Sequence, residues 1–157
     1  MAVTNGEPAP GFALPGTDNT PDGRRTYSLE DYRGQPVVLV FYPGDATPVC
    51  TRQLNAYTND IDAFAEVGAQ LLAVSPQGVQ SHEDFSCKQG GFAFPLLADE
   101  DKGVGRAYGI LGPLGLYRRS AFVIDADGVV RYAHRAMAGL TFRPTNELVE
   151  AVRKATA

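Results

Sequence analysis

Cysteine is scarce in this chain. Among 157 residues there are two, Cys50 and Cys87. Two cysteines cannot make a disulfide framework. Tryptophan is absent, and the two histidines are His82 and His134. Their spacing relative to the cysteines matches no zinc-ligand pattern, so a metal is not expected and a surface role is expected for both histidines. No apolar run approaches the ~20 residues of a membrane span. No long basic run stands out either, and 14 Lys and Arg against 18 Asp and Glu leave a net charge of -4. Membranes and nucleic acids are therefore poor partners. The opening "MAVTNGEPAPGFALPG" has no basic segment followed by an apolar one, so no signal peptide is expected. A cytoplasmic, reducing compartment follows as the default, and there a cysteine pair is more often redox-active than structural.

What is present suits one globular domain spanning 1–157, at 44% hydrophobic and 20% charged residues. The first thirty-six residues are rich in turn formers and have room for short strands, such as one around Phe12–Leu14, with "GTDNTPDGRR" as a loop. Val37–Tyr42 is a β-branched and aromatic run, as expected of a strand buried on both faces. Leu54, Tyr57, Ile61 and Phe64 share one face of a following helix. Ala69–Ser75 reads as a second buried strand and Ser81–Gln89 as a short helix ended by Gly90 and Gly91. "FAFPLLAD" reads as a third strand, with Pro95 suggesting an irregular or edge position. A short helix around Val104–Tyr108 follows. Next comes a hairpin in "SAFVIDADGVVRYAH" turning at Asp127-Gly128, then a closing helix with Leu148 and Val152 as its stripe and Thr145 as its cap. This order implies an α/β fold, a mixed central sheet flanked by helices on both faces.

Cys50 stands at the carboxyl end of the first buried strand and in the first turn of the next helix. Ligands and chemistry gather there in open α/β sheets. The free N–H groups and the dipole of a helix N-terminus also stabilise a thiolate, the nucleophilic form of cysteine. Position alone makes Cys50 a candidate nucleophile.

Pro43, Thr47 and Cys50 form P-x-x-x-T-x-x-C within "FYPGDATPVCT". With "EPAPGFAL", "SLEDYRGQPVVLVFYP", "FPLLAD" and "RRSAFVIDADG" in the same order, the chain resembles the peroxiredoxins, most closely the Q-type subgroup, the bacterioferritin comigratory proteins. The resemblance implies a thioredoxin-like fold and a thiol-dependent peroxidase that needs no metal, haem or flavin. It assigns Thr47 to bring a hydroxyl to the sulfur and to the peroxide, and Pro43 to shield the thiolate without offering a competing N–H. It assigns Arg119, three residues before Phe122, as the cation at the sulfur. Arg118 is adjacent, but strand alternation lets only one of the two face the site. Phe41 and Tyr42 are expected to pack and line the pocket.

Three positions depart from the family pattern. Asn55 replaces the second cysteine that many Q-type members carry five residues after the first, Gln53 stands where Glu is frequent, and Ala121 where Thr or Ser is. Other Q-type members place their second cysteine on the helix that carries Cys87 here. On that helix Cys87 lies about 200° from Phe85, the expected core residue, and so on an outer side with Glu83. The resemblance thus implies that hydroperoxide oxidises Cys50 to a sulfenic acid, that Cys87 closes a disulfide with it, and that thioredoxin or a similar thiol reductant resets the pair. Joining the two thiols requires local unfolding of one or both helices. A one-cysteine peroxidase with external resolution and a non-enzymatic redox sensor or holdase remain alternatives, whereas the lack of C-x-x-C argues against a disulfide oxidoreductase. No carboxyl-terminal cysteine segment is seen, so a monomer is expected.

Overall fold

The computed structural model describes residues 3–20, 22–136 and 141–156. Seven strands make one mixed sheet in the order β2-β1-β5-β4-β3-β6-β7. They are β1 (Ala13–Thr17), β2 (Arg25–Ser28), β3 (Val37–Phe41), β4 (Gln70–Ser75), β5 (Leu96–Ala98), β6 (Ser120–Ile124) and β7 (Val130–Arg135). The helices are α1 (Pro48–Asn59), α2 (Ile61–Glu66), α3 (Val79–Lys88), α4 (Gly103–Ala107) and α5 (Thr145–Thr156). Strands β3, β4 and β5 run parallel, and β6 lies antiparallel to β3.

All five residues of β3 are buried, because both sheet faces are covered. Val38 and Val40 pack on the side of Leu54, Tyr57, Phe64, Phe85 and Leu148. Val37, Leu39 and Phe41 pack on the other side with Leu29, Tyr108, Ile110 and Phe122, where Val104 of α4 also lies. The period-2 alternation of a strand thus divides one apolar run between two cores. The expected α/β arrangement, with helices on both faces, is the one observed.

Several local expectations need correction. Gly16 and Thr17 belong to β1, which pairs with β2 from Ala13↔Ser28 to Gly16↔Arg25, so the ends of the supposed loop are strand. The helix expected through Phe64 breaks at Asp60 (φ -101°, ψ 18°) into α1 and α2. Asp60 there accepts a hydrogen bond from the Thr145 hydroxyl at 2.8 Å. Thr145 is therefore spent on a neighbouring segment and does not cap α5; the Pro144 carbonyl takes the Glu147 and Leu148 N–H groups instead. Pro95 precedes β5, and β5 is an interior strand between β4 and β1, so an edge position is excluded. The short ladder suffices because Pro95 needs to donate nothing there: its carbonyl accepts from Ala73 N–H at 3.1 Å.

Candidate active site

The loop from Pro43 to Thr47 carries the chain from the carboxyl end of β3 to the head of α1. Ala46 takes a left-handed conformation in it (φ 63°), uncommon outside glycine. Thr47 is the residue before the helix, Pro48 is its first residue, and Cys50 sits in its first turn. Proline suits that first position because its missing N–H would have no helical partner. The Thr51 N–H to Thr47 carbonyl bond (2.9 Å) is an early rung of the helix, so the Cys50 N–H lies ahead of it, on the donor-rich end of the dipole.

Cys50 is wholly buried, and Arg119 is only 4% exposed. The Arg119 Nη2 donates to Cys50 Sγ at 3.1 Å. Antiparallel pairing explains how a residue 69 positions away arrives there. Ser120 pairs with Phe41, so the start of β6 lies at the end of β3, beside the head of α1. Alternation then chooses between the arginines. Arg119 shares its sheet face with Ala121 and Val123, which pack in the same core as Cys50. Arg118 turns the other way and donates to the Ala136 carbonyl at 3.1 Å.

The remaining expected residues are placed as follows. Thr47 is exposed, its hydroxyl donating to the Gly44 carbonyl at 3.2 Å, one helical turn from Cys50. Pro43 is half-buried at the start of the same loop. Gln53, at the position where Glu is frequent, is buried and accepts from Arg119 Nη1, so the arginine meets a neutral partner there. Tyr57, one turn further on, has its phenol pushed up to about 12 by burial, with its hydrogen bond to Gln53 pulling the other way. Phe41 belongs to the opposite core, where it contacts Tyr108, Tyr117 and Phe122, so it does not line the site.

Cys87 is separate from this cluster. Both cysteines are free, Cys50 buried and Cys87 exposed. Phe85 faces the core and Cys87 faces outward, as helical geometry requires. It lines an open recess of about 590 Å³ together with Asn19, Thr20, Glu83, Gly90 and Gly91. Asn55, at the position of the missing second cysteine, donates to Gln89 Oε1 at 2.9 Å and so ties α1 to the end of α3.

His82 is not on the surface. It is completely buried, with Nδ1 at 2.7 Å from Asp45 Oδ2 and Nε2 at 2.9 Å from the Leu97 carbonyl. Asp45 also accepts from the Tyr42 hydroxyl at 2.6 Å and the Ser81 hydroxyl at 2.7 Å. The signal for this was in the sequence. His82 lies three residues before Phe85, and i, i+3 residues share a helical face. His134, by contrast, is partly exposed on β7.

The model of the AhpC/TSA family matches residues 5–133. The chain belongs to this family and is a peroxiredoxin. A putative peroxiredoxin of Mycobacterium tuberculosis is 36% identical over 135 residues, covering 82% of either chain. The chloroplastic peroxiredoxin Q of Oryza sativa subsp. japonica is 33% identical over 153 residues, 96% of this chain and 66% of that protein. The chain thus spans just under two thirds of the rice relative. Among solved structures, Mycobacterium tuberculosis AhpC superposes with a TM-score of 0.88 at 23% identity, covering 100% of this chain and 95% of that one. The reduced 2-Cys peroxiredoxin of Plasmodium vivax gives 0.87 at 24% identity, over 99% and 97%. At such identities these two speak for the fold alone, a thioredoxin-like α/β architecture.

Proposed function

We propose that this peroxiredoxin is a thiol-dependent peroxidase in which Cys50 is oxidised by hydroperoxides and Cys87 resolves the product. The observation that carries the reading is the 3.1 Å contact from Arg119 Nη2 to the buried Cys50 sulfur at the head of α1. Guanidinium and helix dipole both stabilise negative charge on that sulfur. Hydrogen peroxide or an organic hydroperoxide enters past Pro43 and Thr47. The thiolate attacks the terminal peroxide oxygen; an S–O bond forms as the O–O bond breaks. Sulfur is oxidised by two electrons, and the leaving oxygen takes a proton and departs as water or alcohol. Arg119 and the Cys50 N–H are the groups available to follow the charge as it moves onto oxygen, joined by the Thr47 hydroxyl once it turns from the Gly44 carbonyl.

The sulfenic acid then condenses with the Cys87 thiol, releasing water and forming a disulfide. A dithiol reductant, thioredoxin or one like it, restores both thiols by exchange. The recess beside the exposed Cys87 supports that access. All the reacting groups lie on a single chain, so the proposed working unit is a monomer. Two free thiols suit a reducing compartment, cytoplasmic in the simplest case.

Peroxide consumption by wild type and Cys50→Ser, with and without thioredoxin, together with intact mass before and after one equivalent of peroxide, tests this. Activity confined to wild type and a product two mass units lighter are expected. A Cys50→Ser variant that still consumes peroxide overturns the reading.

A further inference from the structure

Asp45 lies five residues before Cys50 and His82 five before Cys87. Their side chains meet in the interior, 3% and 0% exposed. We propose that Asp45 and His82 are positioning residues that lock the peroxide loop to helix α3, so that the loop keeps its shape at Cys50 and the Cys87 helix stays folded until the site is oxidised. The part concerning Cys87 rests on the resolving role proposed above; the part concerning the loop does not.

Hydrogen-bond accounting supports the lock. The Asp45 carboxylate accepts from Tyr42, Ser81 and His82, and its own N–H donates to Gln77 Oε1. His82 meets acceptors at both ring nitrogens, a carboxylate at one and the Leu97 carbonyl at the other. Both ring nitrogens are thus engaged, one by the Asp45 carboxyl group and one by a backbone carbonyl, and the ring is fixed at two points. The end of β3, the loop, the start of α3 and strand β5 converge on this one buried pair. Tyr42 stays a neutral donor there, since burial and then the Asp45 charge hold its phenol well above the ordinary range.

The other side-chain ties of α3 to distant segments are at the surface, Arg24 to Glu83 and Gln80 and Asn55 to Gln89, whereas the buried Ser86 hydroxyl accepts from the nearby Phe92 N–H at 2.8 Å. Exposed ties of this kind contribute little. A buried hydrogen-bonded pair is different, because losing one partner leaves the other unsatisfied away from water. Beyond His82 the helix ends at Lys88 and is followed by Gly90 and Gly91, both at positive φ (85° and 93°), a ready place for the chain to swing. The lock therefore anchors the first half of α3 to the peroxide loop, and with that half held fixed, unwinding that starts from the glycine end is restrained.

The test compares Asp45→Asn, His82→Gln and their combination with Phe85→Leu, which loosens α3 through the core without touching the pair. On a Cys87→Ser background, the second-order rate of Cys50 oxidation by H2O2 is expected to fall about tenfold in each lock variant, with the combination no worse than the weaker single. Phe85→Leu should stay within about twofold. Hydrogen exchange over 79–90 in the reduced protein should rise in all four. With Cys87 present, disulfide closure should speed up in the lock variants even as peroxide oxidation slows. That split is one that general destabilisation does not produce. Lock variants whose oxidation rate matches Phe85→Leu, or losses that simply add in the combination, overturn the proposal. Failure of any variant to form a disulfide would instead remove the resolving role of Cys87 and leave the loop arm decided by the oxidation rates.

Discussion

Replacing Arg119 with methionine keeps most of the side-chain volume and removes the two donors that reach Cys50 Sγ and Gln53 Oε1. A hydrogen bond to a charged group is worth about 1.5–3 kcal/mol net. At about 1.4 kcal/mol per factor of ten, that is roughly a ten- to hundredfold loss. Only stabilisation that grows toward the transition state slows the step, however. In peroxide attack the charge leaves sulfur for an oxygen still within reach of the guanidinium, so most of the contact is retained or strengthened. In alkylation by iodoacetamide the charge departs on iodide, away from Arg119. Stopped-flow oxidation by H2O2 and alkylation should be compared at their high-pH plateaus, where thiol ionisation no longer enters. Arg119→Met is expected to lose the ten- to hundredfold in oxidation and less than about threefold in alkylation. Arg118→Met, whose parent points to the Ala136 and Arg135 carbonyls, should stay within about threefold in both. Equal losses in both reactions for Arg119→Met would show that the arginine only holds the thiolate. A larger oxidation defect in Arg118→Met would refute the assignment of strand faces.

Further outcomes follow from neighbouring groups. Gln53→Glu places an anion on the far side of the same guanidinium, and at an effective dielectric of about 20 this is a tenfold-scale effect; Cys50 alkylation at pH 7 should slow several-fold, and an unchanged rate would deny electrical contact through Arg119. Cys87→Ser should stop at a sulfenic acid, climb to sulfinic acid with excess peroxide and lose most thioredoxin-linked turnover, read by intact mass; normal turnover would make this a one-cysteine peroxidase. Burial by itself pushes the Asp45 carboxyl up, but the hydrogen bond and charge of His82, with Tyr42 and Ser81, overcome it and hold it below the ordinary 3.8. Its contribution to stability is therefore complete above about 3.8 and is lost as pH falls through the lower folded value. Urea midpoints from pH 5 downward should fall less steeply for Asp45→Asn than for wild type, and parallel profiles would contradict the assignment.

The local sequence was enough for much of this. The run Val37–Tyr42, the Pro–Thr–Cys spacing and the first turn of α1 are short-range features, and a helix head favours an anion whatever surrounds it. The outward direction of Cys87 follows from its angle to Phe85 on one helix. The choice of Arg119 over Arg118 was legible only through resemblance, because alternation states that the two differ and not which faces the sulfur. The pairing of Ser120 with Phe41 and the shared face with Ala121 and Val123 decided it.

What only the tertiary structure decided lies between segments far apart in the chain. Thr145 looked like a cap but gives its hydroxyl to Asp60, 85 positions earlier. His82 shares a helical face with Phe85, but nothing local names Asp45, 37 positions earlier, as its buried partner. Local pattern records how each element meets water and core. A polar side chain is buried only if a partner from another element reaches it, since its desolvation must be offset by hydrogen bonds. That partner is set by the order β5-β4-β3-β6 and the register between these strands, which brings the β3–α1 loop against α3 and the start of β6 against Cys50.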